Sequence, residues 1–242
     1  MKLLLISNSR LPGQEYLEYL KQDIKNFLGE SKKNIIFIPY AAVTFSYNDY
    51  EAKVNEALAD IDVQVNSIHR YASPIEALET ADAIIVGGGN TWKLVTILHE
   101  LKLMKAIRRK VRKKGTPFIG WSAGANIACP TLRTTNDMPI AEPKKFKTLG
   151  FVPFQINPHY LDAHPENHAG ETRQQRIEEF IELNREVQVV GLREGTMLWV
   201  ENGTIKLKGE QSARIFKYAQ LPYEMTNEED FSFLLGERRR YV

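Results

Sequence analysis

A serine stands between two glycines at the end of a short apolar run, in the segment Gly120-Trp121-Ser122-Ala123-Gly124. A Gly-x-Ser-x-Gly segment of this kind occupies a sharp turn between a strand and a helix, which lifts the serine hydroxyl out of the sheet. The backbone N–H of the residue after the serine is then free to stabilise a negative oxygen. The pattern therefore predicts Ser122 as a nucleophile and the Ala123 N–H as one donor of an oxyanion hole.

A glycine-rich loop follows another apolar run, at Gly87-Gly88-Gly89-Asn90-Thr91. Glycines let the backbone approach a ligand closely and direct N–H groups at an anion. The segment is neither Gly-x-Gly-x-x-Gly nor a P-loop, which argues against a nucleotide site. We expect Gly88 or Gly89 to supply the second oxyanion donor, with Asn90 and Thr91 beside the substrate. The alternative is an ordinary turn in which Asn90 caps the next helix.

A serine nucleophile needs a base, and histidine is the usual one. The favoured candidate is His159 in the segment QINPHY, because it comes just past a predicted strand and hence at the same sheet edge as Ser122. Pro158 is expected to direct the chain and so the imidazole; a plain loop histidine is the alternative. The remaining histidines are His69, His99, His164 and His168.

A third residue must accept the other ring N–H of the base and hold its tautomer. Glu194 follows a predicted strand between glycines, in the segment GLREG, and Asp137 in the segment TTNDM is the competitor. The order serine, histidine, acid differs from the order serine, acid, histidine of α/β-hydrolases, which disfavours that fold.

These residues need a scaffold, and apolar runs that alternate with amphipathic stretches indicate a mostly parallel, twisted sheet with helices on both faces, a three-layer α/β fold. In such sheets ligands bind outside the carboxyl ends of the strands, where both glycine-containing loops are predicted to lie. The predicted strands cover residues 3–7, 35–39, 63–68 and 83–86, and the predicted helices cover 13–29, 47–60, 91–100 and 102–114.

The later part of the chain is less regular. Residues 130–148 read as a surface excursion, followed by a strand at 150–156 and a helix at 171–184. Glu201-Asn202-Gly203 predicts a hairpin turn. Short extra strands are predicted at 187–192, 197–200, 204–208 and 214–218. No linker or repeat interrupts the chain, so we expect one α/β catalytic domain over residues 1–242.

The composition of the chain limits the classes of partner that the protein is expected to bind. The chain has 242 residues, 43% apolar and 26% charged, with a net charge of +2, which gives no indication of nucleic acid or a membrane surface as a partner. A single cysteine, Cys129, excludes an internal disulfide framework, and no apolar run is long enough for a membrane span. We therefore expect a cytoplasmic protein.

Five segments occur here in a characteristic order: GGGNT, GWSAGA, QINPHY, GETRQQRI and GLREG. Together they resemble peptidase E, the α-aspartyl dipeptidase family, over about residues 80–200. The resemblance implies a fold similar to that of class I glutamine amidotransferases, in a superfamily that also includes cyanophycinases. The amino-terminal alternation of strands and helices agrees with it.

The resemblance implies a serine peptidase that hydrolyses dipeptides with an N-terminal aspartate and needs no metal. We expect no cofactor, and a monomer or homodimer. Ser122 then matches the nucleophile, His159 the base and Glu194 the third triad member. Asp137 matches a further acidic residue associated with activity. The free α-amino group of such a substrate calls for an acid, for which Asp137 or Glu171 could serve.

An aspartyl side chain needs a cation, and arginine holds a carboxylate through two parallel N–H bonds. Arg173 at a predicted helix start is the first choice, and Arg176, one turn later, is the second. The alternative is a pair of surface arginines that bind Glu178 or Glu179.

Two other functions stay open at this point. The first is cyanophycinase-like cleavage of β-aspartyl-arginine units on the same scaffold. The second is a non-catalytic module that keeps the fold and binds a small molecule or a partner.

Overall fold

A computed structural model describes residues 1–29, 34–162 and 170–236, which form two β-sheets with helices packed against them. The strands are β1 (Lys2–Ile6), β2 (Ile35–Ile38), β3 (Val65–Ser67), β4 (Ala83–Val86), β5 (Phe118–Trp121), β6 (Gln155–Tyr160), β7 (Val189–Arg193), β8 (Met197–Glu201), β9 (Thr204–Lys208), β10 (Ala213–Phe216) and β11 (Tyr223–Met225). The α-helices are α1 (Lys21–Leu28), α2 (Tyr47–Leu58), α3 (Pro74–Thr80), α4 (Thr91–Glu100), α5 (Leu103–Lys114), α6 (Ala123–Asn126) and α7 (Arg173–Leu183).

The main sheet has seven strands in the order β3-β2-β4-β5-β1-β8-β9. Its first five strands in that order pair in parallel, whereas β8 and β9 are antiparallel additions at one edge. Asn202 and Gly203 join β8 to β9 with φ angles of 52° and 81°, as a tight hairpin turn requires. The predicted mostly parallel sheet is therefore confirmed.

Helices cover both faces of this sheet. Successive residues of a strand point to opposite faces, so a strand with apolar residues at consecutive positions contributes to a core on each side. Leu3 and Leu5 of β1 pack into a core that contains buried residues of α3, α4 and α5. Leu4 and Ile6 point the other way, into a core shared with α1 and α2. The three-layer arrangement follows from apolar residues at consecutive positions of the central strands.

The second sheet has four strands in the order β11-β10-β7-β6, with β6 and β7 parallel. One of its faces, with Ile156 and Val190, belongs to the same apolar core as the buried residues of α3, α4 and α5. The other face is covered by α7 through Ile177 and Ile181. The expectation that the strand before His159 shares a sheet edge with Ser122 is wrong, because β6 pairs with β7 and not with the main sheet.

Several elements differ from expectation in their bounds or in their presence. The strand predicted at 150–156 begins only at Gln155 and continues to Tyr160. The helix predicted at 13–29 is shortened by a left-handed Leu17, with φ of 60°, and a 3-10 turn before α1. Helix α3 was not predicted, although the Ser73 side chain accepts the Glu76 N–H, as an N-cap does. No helix in the described ranges is long and apolar enough to cross a membrane.

Candidate active site

Ser122 lies at a sharp turn between β5 and the short helix α6. Its φ and ψ are 53° and −112°, a conformation that costs a residue other than glycine about 1–3 kcal/mol. Two backbone hydrogen bonds hold it there: the Ser122 N–H donates to the Ile6 carbonyl at 3.0 Å, and the Ser122 carbonyl accepts the Asn126 N–H at 2.9 Å. The strained turn leaves the hydroxyl half-buried at the carboxyl end of the parallel strands.

The two glycines of the pentapeptide are required by close packing. A Cβ on Gly120 would lie 2.3 Å from the Gly124 carbonyl oxygen, and a Cβ on Gly124 would lie 2.2 Å from the Val86 carbonyl oxygen. Neither distance can accommodate a methyl group. The absence of side chains thus lets α6 pack directly on β4 and β5, which places Ser122 beside the glycine-rich loop that follows β4.

His159 lies within β6, at a β-bulge. The pairing of β6 with β7 shifts register between Pro158 and Tyr160, and His159 itself has φ of 53°. Bulges redirect a side chain out of the regular strand alternation. The His159 N–H donates to Ser7 Oγ at 2.9 Å, and Ser7 Oγ donates to the Leu192 carbonyl at 2.7 Å. The buried Ser7 therefore ties the end of β1 to the bulge.

Ser122, His159 and Glu194 form a continuous hydrogen-bonded chain. His159 Nε2 lies 3.0 Å from Ser122 Oγ, and His159 Nδ1 lies 2.6 Å from Glu194 Oε1. A carboxylate can only accept a hydrogen bond, so Nδ1 must carry a proton, which leaves the lone pair of Nε2 for the serine hydroxyl. The His159 and Glu194 side chains are 38% and 41% exposed, so the chain opens to solvent.

The position of Glu194 is fixed from β1 as well. Glu194 directly follows β7, and the next N–H, of Gly195, donates to Asn8 Oδ1 at 2.9 Å. The Tyr19 hydroxyl donates to the same Asn8 oxygen at 2.5 Å. Burial and the charge of Glu194 together raise the pKa of Tyr19, which keeps its hydroxyl a donor.

Two sets of backbone N–H groups lie next to Ser122. Ala123 is the first residue of α6, so its N–H has no acceptor within the helix. A Cβ on Gly88 would lie 3.1 Å from Ser122 Cβ, which shows how closely the glycine-rich loop approaches Ser122. Gly89 has φ of 131°, and the next N–H, of Asn90, donates to the Ala41 carbonyl at 2.8 Å. This hydrogen bond fixes the end of the loop that leads into α4.

Asp137 lies apart from the serine–histidine–glutamate chain, at the N-terminus of α4. Its Oδ2 accepts hydrogen bonds from the Thr91 N–H at 2.7 Å, the Thr91 hydroxyl at 2.6 Å and the Thr135 hydroxyl at 2.9 Å. Asn90 caps the same helix: its Oδ1 accepts the Lys93 N–H at 3.0 Å. The side chains of Asn90 and Thr91 therefore stabilise the start of α4 and its contact with Asp137, and the alternative in which Asn90 caps this helix agrees with the structure.

Arg173 is the first residue of α7 and points toward the segment that carries His159. Its Nη1 donates to Asn136 Oδ1, and Asn136 Nδ2 donates to the Pro158 carbonyl at 2.6 Å. Burial and the neighbouring Arg176 lower the pKa of Arg173, while the negative charge of Asp137 acts in the opposite direction. A partly buried cation is thus linked by one amide side chain to the backbone next to His159.

Arg176 is in a different environment. It lies 3.8 Å from Glu171 Oε2, and the two side chains are 60% and 63% exposed. Glu178, an expected alternative partner, accepts a hydrogen bond from Gln174 at 2.8 Å. Arg176 is therefore a solvent-facing residue that forms an ion pair with Glu171.

Comparison with known proteins identifies the family. Residues 3–208 match the family model described as peptidase family S51. The chain is 52% identical over 234 residues to a peptidase E of Nostoc sp., covering 97% of this chain and 96% of that protein.

The chain belongs to peptidase family S51. It is also 48% identical over 217 residues to a peptidase E of Salmonella arizonae, covering 90% of this chain and 94% of that protein. Two crystal structures share the fold of this family S51 chain. One, of a Listeria monocytogenes protein, has a TM-score of 0.65 at 22% identity and covers 86% of this chain and 98% of its own. The other, of a peptidase from an acI-B1 actinobacterium, has a TM-score of 0.69 at 18% identity and covers 96% of each chain.

The other histidines of this family S51 chain have separate surroundings. His69 lies between Ser67 Oγ at 2.6 Å and Asn48 Oδ1 at 2.9 Å, and His99 Nε2 lies 3.0 Å from the Lys147 carbonyl. His164 and His168 are outside the described residues. The thiol of Cys129 is buried, which raises its pKa to about 12, as expected of a structural cysteine. Within the described ranges, no three His, Cys, Asp or Glu side chains are grouped to hold a metal ion.

Ser7 and Asn8 are the supporting residues that the sequence analysis missed. Both are almost completely buried although polar, and both directly follow β1 at the carboxyl edge of the main sheet. Buried polar side chains at that edge are a usable signal, because they must find hydrogen-bond partners. Here those partners are the backbone of His159 and of Gly195.

Proposed function

We propose that this chain is a serine exopeptidase that hydrolyses dipeptides with an N-terminal aspartate. The observation that carries the proposal is the chain from Ser122 Oγ through His159 to Glu194, with contacts of 3.0 and 2.6 Å. Distances in this range are those of a nucleophile with its base and of a base with its orienting acid. The partly buried Arg173 beside the backbone of this group supplies the cation for an acidic substrate.

In the first half of the reaction, His159 Nε2 takes the proton of the Ser122 hydroxyl as Oγ attacks the carbonyl carbon of the peptide bond. The carbonyl π electrons move onto the oxygen, which becomes an oxyanion. His159 then gives the proton to the leaving nitrogen, the C–N bond breaks, and the second residue departs as a neutral amine. The aspartyl group stays on Ser122 as an ester.

Backbone N–H groups stabilise the oxyanion during this step. We assign the two donors to the Ala123 N–H at the start of α6 and to an N–H of the Gly88–Gly89 segment, which approaches Ser122 closely. Glu194 stabilises the imidazolium that forms while the proton is on His159. The loss of a single oxyanion donor lowers kcat by about 100- to 1000-fold in serine peptidases.

In the second half, water replaces the amine. His159 takes one proton from the water, whose oxygen attacks the ester carbonyl, and the same proton returns to Ser122 as the acyl C–O bond breaks. Aspartate leaves and the enzyme returns to its starting state.

Specificity for aspartate is attributed to Arg173. One of its N–H groups binds Asn136, so the rest of the guanidinium fork remains for a substrate carboxylate. Asp137 is the better of the two proposed acids for the substrate α-amino group, because it is partly buried and lies close enough to Arg173 for its negative charge to act on the pKa of that residue. Glu171 lies on the exposed side, beside Arg176.

We expect purified protein to hydrolyse Asp-Leu and to leave Leu-Leu essentially unchanged, as measured by the release of free leucine. Ser122→Ala is expected to lower kcat/KM for Asp-Leu by at least about 10⁴-fold, since the covalent pathway is lost. Equal turnover of both dipeptides would contradict the substrate assignment. The β-linked isomer of Asp-Leu, run in parallel, separates an α-aspartyl from a β-aspartyl peptidase.

Arg173→Met is expected to raise KM for Asp-Leu by about 10- to 100-fold, because a charge-assisted carboxylate pair contributes about 1.5–3 kcal/mol. Turnover of the uncharged analogue Asn-Leu should change little in the same variant. Arg176→Met is the matched control, since it removes a similar charge one turn along α7, and its KM should stay within about threefold of the wild-type value. If both variants behave alike, Arg173 is not the specific carboxylate ligand.

A further inference from the structure

A buried tyrosine lies directly beneath the glycine-rich loop. Tyr50 of α2 is 4% exposed, and its hydroxyl donates to the Gly88 carbonyl oxygen at 3.0 Å. The same hydroxyl lies 3.2 Å from Trp121 Nε1 and 3.4 Å from the Tyr16 hydroxyl. Tyr50 therefore contacts both the loop opposite the nucleophile and the residue immediately before Ser122.

The chemistry of these partners decides where the Tyr50 proton lies. An indole N–H can only donate, so the Tyr50 oxygen must accept from Trp121. A backbone carbonyl can only accept, so the Tyr50 proton must point at Gly88. Burial raises the pKa of Tyr50, which is consistent with a hydroxyl that keeps its proton.

A carbonyl held in this way fixes the whole peptide unit. In a trans peptide the C=O of one residue and the N–H of the next point in opposite directions, and the described residues contain no cis peptide bond. With the Gly88 C=O held by Tyr50, the Gly89 N–H must point to the opposite side of the peptide. The Gly87 and Asn90 N–H groups hold the two ends of the loop. The bond to Tyr50 acts on the Gly88–Gly89 peptide between them, which has a glycine on each side and is therefore freer to rotate when that bond is lost.

Close packing on Gly87 and Phe37 holds the Tyr50 side chain in place. A Cβ on Gly87 would lie 2.5 Å from the Tyr50 hydroxyl oxygen, so the hydroxyl occupies the space that a side chain would need. The Tyr50 ring packs edge-on against Phe37, with centroids 4.9 Å apart. A capping box between Ser46 and Asp49 fixes the first turn of α2, which carries the ring.

We propose that Tyr50 is a positioning residue of the oxyanion hole, which orients the Gly88–Gly89 peptide so that the Gly89 N–H faces the developing oxyanion. Through Trp121, the same hydroxyl sets the distance between this donor and the Ala123 N–H on the other side of Ser122. The inference rests on the proposed serine mechanism and extends it to a residue more than 70 positions before the nucleophile in the chain.

The test compares Tyr50→Phe with Tyr16→Phe. Phenylalanine keeps the packing against Phe37 and removes only the hydroxyl. We expect kcat for Asp-Leu to fall by about 10- to 100-fold with KM within twofold, since a misdirected donor costs no more than a deleted one. Tyr16→Phe removes a neighbouring hydroxyl but leaves the Tyr50–Gly88 and Tyr50–Trp121 bonds intact, so kcat should stay within about threefold of wild type.

A second readout does not depend on the dipeptide substrate. A fluorophosphonate reacts when Ser122 Oγ forms a bond to phosphorus, fluoride leaves, and the serine proton passes to His159. The phosphoryl oxygen occupies the oxyanion hole during this reaction. The rate of labelling, followed by mass spectrometry, should fall in Tyr50→Phe by a factor similar to the fall in kcat.

Gly87→Ala provides an independent variant should Tyr50→Phe fail to fold. The added methyl group displaces the Tyr50 hydroxyl without removing it, so the same selective loss of kcat and of labelling rate is expected. A labelling rate equal to wild type in folded Tyr50→Phe, or a raised KM with unchanged kcat, overturns the inference. Wild-type protein that is labelled but does not cleave Asp-Leu contradicts only the proposed substrate. Wild-type protein that is not labelled removes the serine mechanism and this inference with it.

Discussion

Glu194→Gln is expected to lower kcat for Asp-Leu by about three to four orders of magnitude while KM changes little. Glu194 Oε1 lies 2.6 Å from His159 Nδ1 and holds the proton on that nitrogen. A glutamine has the same shape but can turn its NH₂ group toward Nδ1, which then accepts, so the proton moves to Nε2. A protonated Nε2 cannot take the proton of Ser122. The amide also removes the negative charge that stabilises the imidazolium.

Asp137→Asn is the matched control, because it makes the same chemical change at the other candidate acid. The asparagine oxygen can still accept from Thr91 and Thr135, so the start of α4 is preserved. We expect kcat within about threefold of wild type and a KM raised by up to about tenfold, since the charge that we propose binds the substrate amino group is lost. If Asp137→Asn lowers kcat as much as Glu194→Gln, the assignment of the third triad member to Glu194 is contradicted.

The amino-terminal half of the fold could be predicted because local signals decide it. Strand β4 occupies the predicted residues, and α4 begins at Thr91 immediately after Asn90, where both the capping residue and the apolar period place it. The placement of Ser122 at a turn after a strand was likewise readable, because both glycines are needed for close packing there.

The second sheet could not be predicted, because the apolar run of β6 is compatible with pairing in either sheet. Which partner it takes depends on contacts with β7 and α7, far away in the sequence. The bulge at His159 has the same origin, since a register shift is a property of two strands and not of one. Ser7 and Tyr50 were missed for a related reason: neither belongs to a motif, and each becomes important only through a partner that folding brings near.

Arg193→Met is expected to destabilise the protein by about 2 kcal/mol at pH 7. Arg193 ends β7, next to Glu194, and its side chain is only 11% exposed. It donates to both carboxylate oxygens of Asp162, at 2.6 and 2.8 Å, and to Glu224 at 2.7 Å. Loss of one partner of a fully buried pair costs about 3–5 kcal/mol, and the loss expected for Arg193→Met is smaller than this range because the carboxylates are 49% and 43% exposed.

The same cluster makes stability depend on pH, and the sign follows from its carboxylates. Hydrogen bonds from Arg193 lower the pKa of Asp162. Burial alone would raise the pKa of Glu224, but hydrogen bonds from Arg193 and Ser212 bring it below its usual value. Folded carboxylates with lowered pKa values bind fewer protons than unfolded ones, so stability rises with pH. The contribution is complete above the unfolded-state pKa values of about 4 and is lost as the pH falls below them.

Chemical denaturation of wild type and Arg193→Met between pH 3 and pH 8 measures both effects, and the difference between their free energies of unfolding should shrink as the carboxylates become protonated. Arg109→Met is the control, because its ion pair with Glu79 is exposed and should contribute less than about 1 kcal/mol at any pH. A pH-independent difference for Arg193→Met would mean that packing, including the guanidinium 5.5 Å from the Tyr160 ring centroid, dominates. Tyr160 of β6 follows His159, and Arg193 of β7 precedes Glu194. The contacts of Arg193 therefore hold β6 and β7 together next to the hydrogen bond between His159 and Glu194.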